Sequence, residues 1–443
     1  MKFKQRHTVV KKLLEEVSPS FCLAKWKQVT IHLQNGQTHS CHHPGTHKIP
    51  LDELKDNPSA LHNTHFKKMK RREMLAGSKP NECDYCWKVE SSSDSFSDRI
   101  LKSSEEWSLP HYEKIKNSPW DWDVNPSYVE VSFSNACNQK CAYCFPHISS
   151  KWMEEIQKYG PYSTIPMFNS IERLKSRDMM PIPHREENPY VEAFWKWWPD
   201  LYRDLHTFRI TGGEPLLSKD TFRVMDYIIN EENPNIDLNF SVNTNLMVED
   251  FLIDDFIEKI NKMAYKTKSL TIYTSIDTWG KQAEYIRYPM NFDKFWDNCH
   301  KVLSKCWASK LHFMCTFNIL SLPKFGKLLL EIEKLKKQYG DEKVIFVTEF
   351  LRYPGHMSIK LLSEEWISVF ENYIKSTSKF TDYEIEKLNR IVDYMKASSD
   401  ESWKEKMKKN FVIYFTEYDR RRKTNFKEVF PELIDFWEHC ERI

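Results

Sequence analysis

Glycine is scarce in this chain, with 10 residues in 443, so a Gly-Gly pair anywhere stands out. No apolar run comes near the roughly 18–20 residues that cross a bilayer, which excludes a membrane-spanning helix and a membrane partner. Neither sign of charge dominates. Lys and Arg number 65, Asp and Glu 63, and the net charge is +2. That balance lacks the basic footprint of a nucleic-acid-binding surface and argues against such a partner. The N-terminus, MKFKQRHTVVKKLLEEV, is basic but has neither the uninterrupted apolar stretch nor the small-residue cleavage site of a secretory signal. A cytoplasmic location is therefore expected. The 11 cysteines would there be thiols or metal ligands rather than disulfides. Trp (15) and Phe (27) supply ample core material, and the length suits two to three domains.

Three of the cysteines, Cys137, Cys141 and Cys144, fall in NACNQKCAYCFPH with the spacing C-x3-C-x2-C. A four-iron cluster is normally held by four thiolates, so a tight set of three leaves one iron open to an outside ligand. A zinc site is the plainer reading. Zinc wants four ligands, and His147 could be the fourth. The run follows YVEVSFS, which alternates as a strand does. About seventy residues later a second apolar strand, FRIT, ends in Gly212-Gly213-Glu214.

Four more cysteines lie ahead of this run. Residues 28–33 alternate as a strand, Asn35-Gly36 is a strong hairpin signal, and 38–42 returns with Cys41 on it. Cys22 precedes the hairpin. Cys83-Asp84-Tyr85-Cys86 forms a C-x2-C knuckle after a polar helix that includes HFKKMKRREML. Cys22, Cys41, Cys83 and Cys86 make a workable four-thiolate site, for a structural zinc or for an iron–sulfur cluster. His39, His42 and His43 are spare ligands or hairpin surface.

Beyond a Ser-rich stretch, VESSSDSFSD, six apolar strands are expected near 128–134, 207–211, 237–243, 269–276, 311–318 and 343–349, with helices between them. Such alternation argues for an α/β fold whose parallel sheet closes partly around a core, with its active site at the C-terminal ends of the strands. The expected division is 1–90 for the cysteine-bearing unit, 91–125 for a linker, 126–362 for the sheet domain and 363–443 for a helical tail. The first crossover, 148–205, is long and carries Trp195, Trp197 and Trp198 on a helix that either packs on the sheet or caps a substrate. Arg420, Arg421 and Arg422 read as a solvated basic face.

Taken together, the three-cysteine run and the strand ending in GGE resemble the radical S-adenosylmethionine (SAM) superfamily. FCLAKW, the hairpin ending in THSCHH, and MLAGSKPNECDYCW resemble its twitch domain, the shortened form of SPASM. Here that unit precedes the sheet domain, whereas it usually follows it. The resemblance implies a partial (β/α)6 radical SAM barrel, with a small N-terminal α+β cluster-binding domain and a helical C-terminal tail. It implies a [4Fe-4S] cluster on Cys137, Cys141 and Cys144 that binds SAM, an auxiliary [4Fe-4S] cluster on Cys22, Cys41, Cys83 and Cys86, and a flavodoxin- or ferredoxin-type electron donor.

Tyr143 takes the place where the family packs a ring near the adenine. Gly212 and Gly213 would let the backbone come close to a ligand, having no Cβ. Glu214 would accept from the SAM ammonium. Ser275 and Asp277 would lie by the ribose, Arg287 would suit the SAM carboxylate, and Asn245 would face the same region. Each of these last four could equally be a helix cap or an ion pair. Glu349 and Arg352, at the end of the sixth strand, are candidates to position substrate or a proton, or a simple ion pair.

The function implied is reductive cleavage of SAM to a 5′-deoxyadenosyl radical and oxidative modification of a substrate, foremost a peptide or protein side chain. Dehydrogenation of a small molecule and modification of tRNA or a nucleotide are alternatives. The tRNA reading needs KKMKRR and DRRRK as its basic surface. A zinc-stabilised binding protein is the non-enzymatic reading.

Overall fold

The computed structural model describes residues 3–92, 95–164 and 169–443. Part of the Ser-rich stretch, 93–94, and part of the long crossover, 165–168, lie outside them.

Alternating strand sequences build one mixed sheet. Its strands are β1 (Gln28–His32), β2 (Gln37–His39), β3 (His47–Lys48), β4 (Tyr128–Ser132), β5 (Thr207–Thr211), β6 (Asn239–Thr244), β7 (Ser269–Ser275), β8 (Ser309–Phe317) and β9 (Val344–Phe350). Their order across the sheet is β3-β2-β1-β4-β5-β6-β7-β8-β9. The strands from β4 to β9 are parallel and in sequence order, with crossovers that contain helices. These are the six strands expected, each within two residues or so of the expected bounds. The barrel is open, ending at β3 on one side and β9 on the other.

The N-terminal hairpin joins this sheet. β1 runs parallel to β4, Gln28 opposite Tyr128 and His32 opposite Ser132, and β2 and β3 continue antiparallel. The Asn35-Gly36 turn between β1 and β2 needs its glycine twice over. Gly36 has φ +64°, and a Cβ there would lie 2.0 Å from the ring of Tyr190.

Strand alternation sorts the two faces. Val129, Val131, Phe208, Ile210, Phe240, Val242, Leu270, Ile272, Leu311 and Phe313 are buried under the helices as one core. Each such side chain contributes about 1.5–3 kcal/mol on burial. The helix Pro189–Asp204 of the long crossover packs there, with Phe194, Trp197 and Trp198 in the core, so its tryptophans are structural. The free edge at β9 is covered by the helix Asp382–Lys396. Its Glu384, 1% exposed, accepts a hydrogen bond from the Phe346 N–H (2.7 Å) and pairs with Lys336 (2.9 Å). An edge strand masked this way cannot pair with another chain.

The C-terminal helix Glu401–Arg422 corrects one expectation. Of the three arginines read as a solvated face, only Arg420 is exposed. Arg422 is buried against Glu155 (Nε to Oε2, 3.2 Å) and Arg421 donates to the Gly160 carbonyl (2.9 Å). Glu155 also meets Lys140 (2.6 Å) and the Tyr162 hydroxyl (2.7 Å). Burial of an ion pair is tolerated because the carboxylate's lone pairs are filled from several sides. This tail is a buttress. Tyr414 donates to the Ala142 carbonyl (2.6 Å) and Tyr418 to that of Tyr285. Residues 96–124 likewise pack, with Ile100, Tyr112, Ile115 and Val124 completing the N-terminal core. No helix among the described residues is long and apolar enough to cross a membrane.

Candidate active site

Just past the C-terminal end of β4 the chain turns into the loop carrying Cys137, Cys141 and Cys144. All three line a pocket of about 750 Å³, with Thr211, Gly212, Gly213 and Glu214 after β5, Asn243, Thr244 and Asn245 from β6, Ser275 from β7, Thr316 from β8, and Arg287. The pocket is therefore built from strand ends, where parallel α/β sheets carry their chemistry.

The loop is held from several directions. Glu214 is 2% exposed and accepts from the Leu216 N–H (3.1 Å), the Thr244 hydroxyl (2.7 Å) and the Asn245 N–H (2.7 Å). Burial outweighs these bonds and raises its pKa to about 7. Asn245 donates from its amide to Asn138 Oδ1 (2.8 Å), tying β6 to the cysteine loop. Asp277 accepts from Tyr143 OH at 2.9 and 3.1 Å and from Arg287 Nη2 at 3.2 Å. Arg287 also donates to Tyr143 OH (2.6 Å) and, through Nη1, to Cys141 Sγ (3.8 Å). Tyr143, Asp277 and Arg287 thus form a buried network behind the thiols.

The two glycines line the pocket, and their missing Cβ atoms also make room inside the protein. A Cβ on Gly213 would lie 2.3 Å from the Ala136 carbonyl, and one on Gly212 2.5 Å from Ser132 Oγ. Their bareness admits the cysteine loop itself against β5. Glu349 and Arg352 stay apart from the pocket. Glu349 pairs with Lys387 and Arg390 (3.5 Å) on the helix that covers β9, and the Arg352 guanidinium lies over the Phe350 ring at 5.6 Å. His147, the fourth ligand of the zinc reading, does not line the pocket.

Below the pocket, the sheet face opposite the helices is polar. Glu130, Arg209, Asn243, Tyr273, His312 and Met314 share it by strand register. Arg209 donates to Asn243 Oδ1 (2.8 Å), stacks over Tyr273 (4.4 Å), lies 4.0 Å from Glu130 and reaches Met314 Sδ (3.4 Å). Arg209 on β5 touching Met314 on β8 means that the sheet curves round this face. These residues were missed from the sequence, although the alternation of YVEVS and TFRIT carries the signal.

The second set of thiols is also brought together. Cys22, Cys41, Cys83 and Cys86 line one largely enclosed, apolar-walled space of about 390 Å³ with Lys25, Met74, Trp87, Asp98 and Arg99. Burial pushes Cys83 and Cys86 up to about 12, and Cys137 of the other site likewise. Cationic metal would ionise such thiols. Among the described residues no three His, Cys, Asp or Glu side chains converge closely enough for a single metal ion. A four-iron core holds its thiolates further apart than one ion does, and its donor set of soft thiolates is the one found here. His43 is occupied by Asp98 (2.8 Å), and His39 by His32 (3.3 Å).

The two thiol sites lie at opposite ends of β1. Cys22 precedes its start, and Cys41 follows β2 as that strand runs back toward the same end. The three-cysteine loop lies beyond the other end, beside Ser132. Five residues at about 3.3 Å each put roughly 16 Å of strand between the two levels.

No protein-family model matches the chain. A GTP 3′,8-cyclase of Nautilia profundicola is 22% identical over 145 residues, 33% of this chain and 34% of that protein. The chain thus spans about a third of that relative's length. Among solved structures, Streptococcus suis SuiB matches at 13% identity over 92% of this chain and 73% of its own, with a TM-score of 0.36. The structure titled native anSMEcpe with bound AdoMet matches at 14% identity over 56% and 62%, with a TM-score of 0.32. Scores this low leave those two structures silent on the site of this chain.

Proposed function

We propose, from the premise that this chain is a radical SAM superfamily protein, that it cleaves SAM reductively and oxidises a substrate held on the polar face of its sheet. The observation that carries this reading is the single pocket in which Cys137, Cys141 and Cys144 meet Glu214, Asn245, Ser275 and Arg287 at the strand ends. When bound there, a [4Fe-4S] cluster supplies the electron that splits SAM into methionine and a 5′-deoxyadenosyl radical.

The residues around it bind and orient. Glu214 Oε2 accepts one bond from the protein, which leaves it a lone pair for the SAM ammonium. Arg287 is committed to Asp277 and Tyr143 through Nη2, and its Nη1, which also reaches Cys141 Sγ, has a second N–H for the SAM carboxylate. Its main task is to fix the loop through Cys141. Ser275 lies on the side where the ribose would rest.

Substrate would lie on the face bearing Glu130, Arg209, Asn243 and Tyr273, between the two thiol sites. It loses a hydrogen atom, an electron and a proton; Cys22, Cys41, Cys83 and Cys86 would hold an auxiliary cluster that would supply the electron acceptor, and solvent would take the proton. The net change is a two-electron oxidation. A peptide or protein side chain is the substrate class we favour, on the resemblance of the N-terminal unit to twitch and SPASM domains. The nucleic-acid reading keeps a smaller basic surface, because Lys67 and Arg71 of KKMKRR and Arg421 and Arg422 of DRRRK are buried.

The test is mass spectrometry of anaerobically reconstituted protein with SAM, reductant and candidate peptides. Stoichiometric 5′-deoxyadenosine and a product lighter by two hydrogens are expected. A methylated or thiolated product, or SAM regenerated, would overturn the oxidative reading. The same mass loss on a small alcohol, with peptides unchanged, would move the substrate class.

A further inference from the structure

The space between the four N-terminal thiols has three basic side chains on its wall. Lys25 lines that space, and it is 2% exposed. Its ammonium pairs with Glu82, whose side chain is 15% exposed. Arg99, also lining the space and buried, is matched by a two-pronged contact with Glu90 (2.8 and 3.0 Å). Lys102 faces Asp98 at 3.9 Å.

Two further buried basic side chains lie near Lys25, and burial lowers the pKa of both. Lys67 donates to the Thr38 hydroxyl (2.9 Å) and lies 3.5 Å from His62 Nδ1. Arg71 donates to Asn63 Oδ1 (3.0 Å), to the carbonyls of Trp122 (3.4 Å) and Lys25 (3.5 Å), and contacts His62 Nε2 (3.0 Å). All of these hydrogen-bond partners are neutral, and Asp123, itself paired with Lys68 (2.6 Å), is the carboxylate that acts on Arg71. The three cations that line the space, Lys25, Arg99 and Lys102, each face one carboxylate.

Four thiolates around a four-iron core in its oxidised form would carry two negative charges net, and Lys25 is a buried cation on the wall of the space that would hold them. Reduction adds a third negative charge at the same place. Cations fixed nearby stabilise that form more than the oxidised one and raise the potential, since net charge around the cluster is one of its determinants.

Resting on the reading that this space holds an iron–sulfur cluster, we propose that Lys25 tunes that cluster as an electron acceptor. Lys25 acts through the electrostatic field at the thiolates and does not touch substrate. The electron accepted is the one given up by the substrate radical after hydrogen abstraction.

The test uses the full chain with Cys137, Cys141 and Cys144 replaced by Ala, so that only the N-terminal cluster is present. Its midpoint potential is read by redox titration followed by electron paramagnetic resonance, and its metal content is measured alongside. Lys25→Met is expected to lower the potential by a tenfold shift in the one-electron equilibrium or more, about 59 mV. Glu82→Gln removes the opposing charge and is expected to move it the other way. Lys25→Arg should restore the parent value within a fraction of that shift.

A potential unmoved in Lys25→Met, or moved in the same direction in both variants, overturns the inference. Should Lys25→Met lose its iron, the Glu82→Gln measurement decides by its sign. Loss of iron in both assigns the pair to structure and overturns it too. Zinc in place of iron in the parent overturns the cluster reading and the tuning with it, whereas iron with an unmoved potential overturns the tuning alone.

Discussion

The two thiol sites differ in almost every physical respect although one strand, β1, connects their levels. The site beyond the C-terminal ends of the strands has three thiols, polar walls and an opening toward the curved polar face. The site at the start of β1 has four thiols, apolar walls and two buried cations, Lys25 and Arg99, beside it. A group held by three thiolates keeps a position for an outside ligand, and polar walls are what a zwitterion such as SAM requires. A group held by four has no such position, and closing it off from water suits electron transfer. The comparison teaches that thiol count and enclosure go together here, which is what our proposal of one site for ligation and the other for redox requires.

The largest effects should separate the sites outright. Replacing Cys137, Cys141 and Cys144 by Ala should abolish 5′-deoxyadenosine formation, measured by chromatography, and lower bound iron from about eight to about four per chain. Replacing Cys83 and Cys86 by Ala should remove a similar amount of iron yet leave reductive SAM cleavage running, while the oxidised product disappears. If SAM cleavage also stops, the two sites are not divided as argued.

A third measurement probes what supports only one of them. Glu155→Gln leaves the Arg422 guanidinium buried without its carboxylate, and the expected cost is about 3–5 kcal/mol in denaturant unfolding. Because Lys140 and the helix 401–422 bear on the three-cysteine loop, iron should fall at that site and stay at the N-terminal one. Equal loss from both would mean that the buttress serves the whole fold.

The smallest effect is a pH dependence. The folded pKa of Glu214 is raised to about 7 by burial, above an unfolded value of 4.5. The folded state therefore holds the proton more tightly. Its contribution to stability is fully present below about pH 4.5 and is lost as pH rises through about 7. In SAM-free protein, the Glu214→Gln variant should lack a slope of about 1.4 kcal/mol per pH unit within that window. A parallel pH profile in the two proteins would show that the carboxylate stays ionised in the pocket.

Much of this molecule was legible without coordinates. Six strands of the sheet, the hairpin at Asn35-Gly36, both cysteine sets and the GGE turn are local patterns, and local patterns follow from backbone sterics and side-chain periodicity. What lay beyond reach were choices of distant partner. An Arg-Arg-Arg run is polar wherever it is read, and only the packing of 401–422 against Glu155 buried two of its members. Glu349 is a free carboxylate in the sequence, and a helix some forty residues on supplies Lys387 and Arg390. Gly212 and Gly213 were rightly singled out, but a missing Cβ does not say what fills the space. Here it is the cysteine loop's own backbone.

The sequence by itself determined the strands, the thiols and their spacing, because those depend on neighbours in the chain. Only the tertiary structure decided that β1 extends the main sheet, that the two thiol sites stand at opposite ends of it, and that Lys25, Lys67 and Arg71 gather behind one of them. Those outcomes turn on which buried surfaces and charges fit together across tens to hundreds of residues, and that fit exists only once the chain has folded.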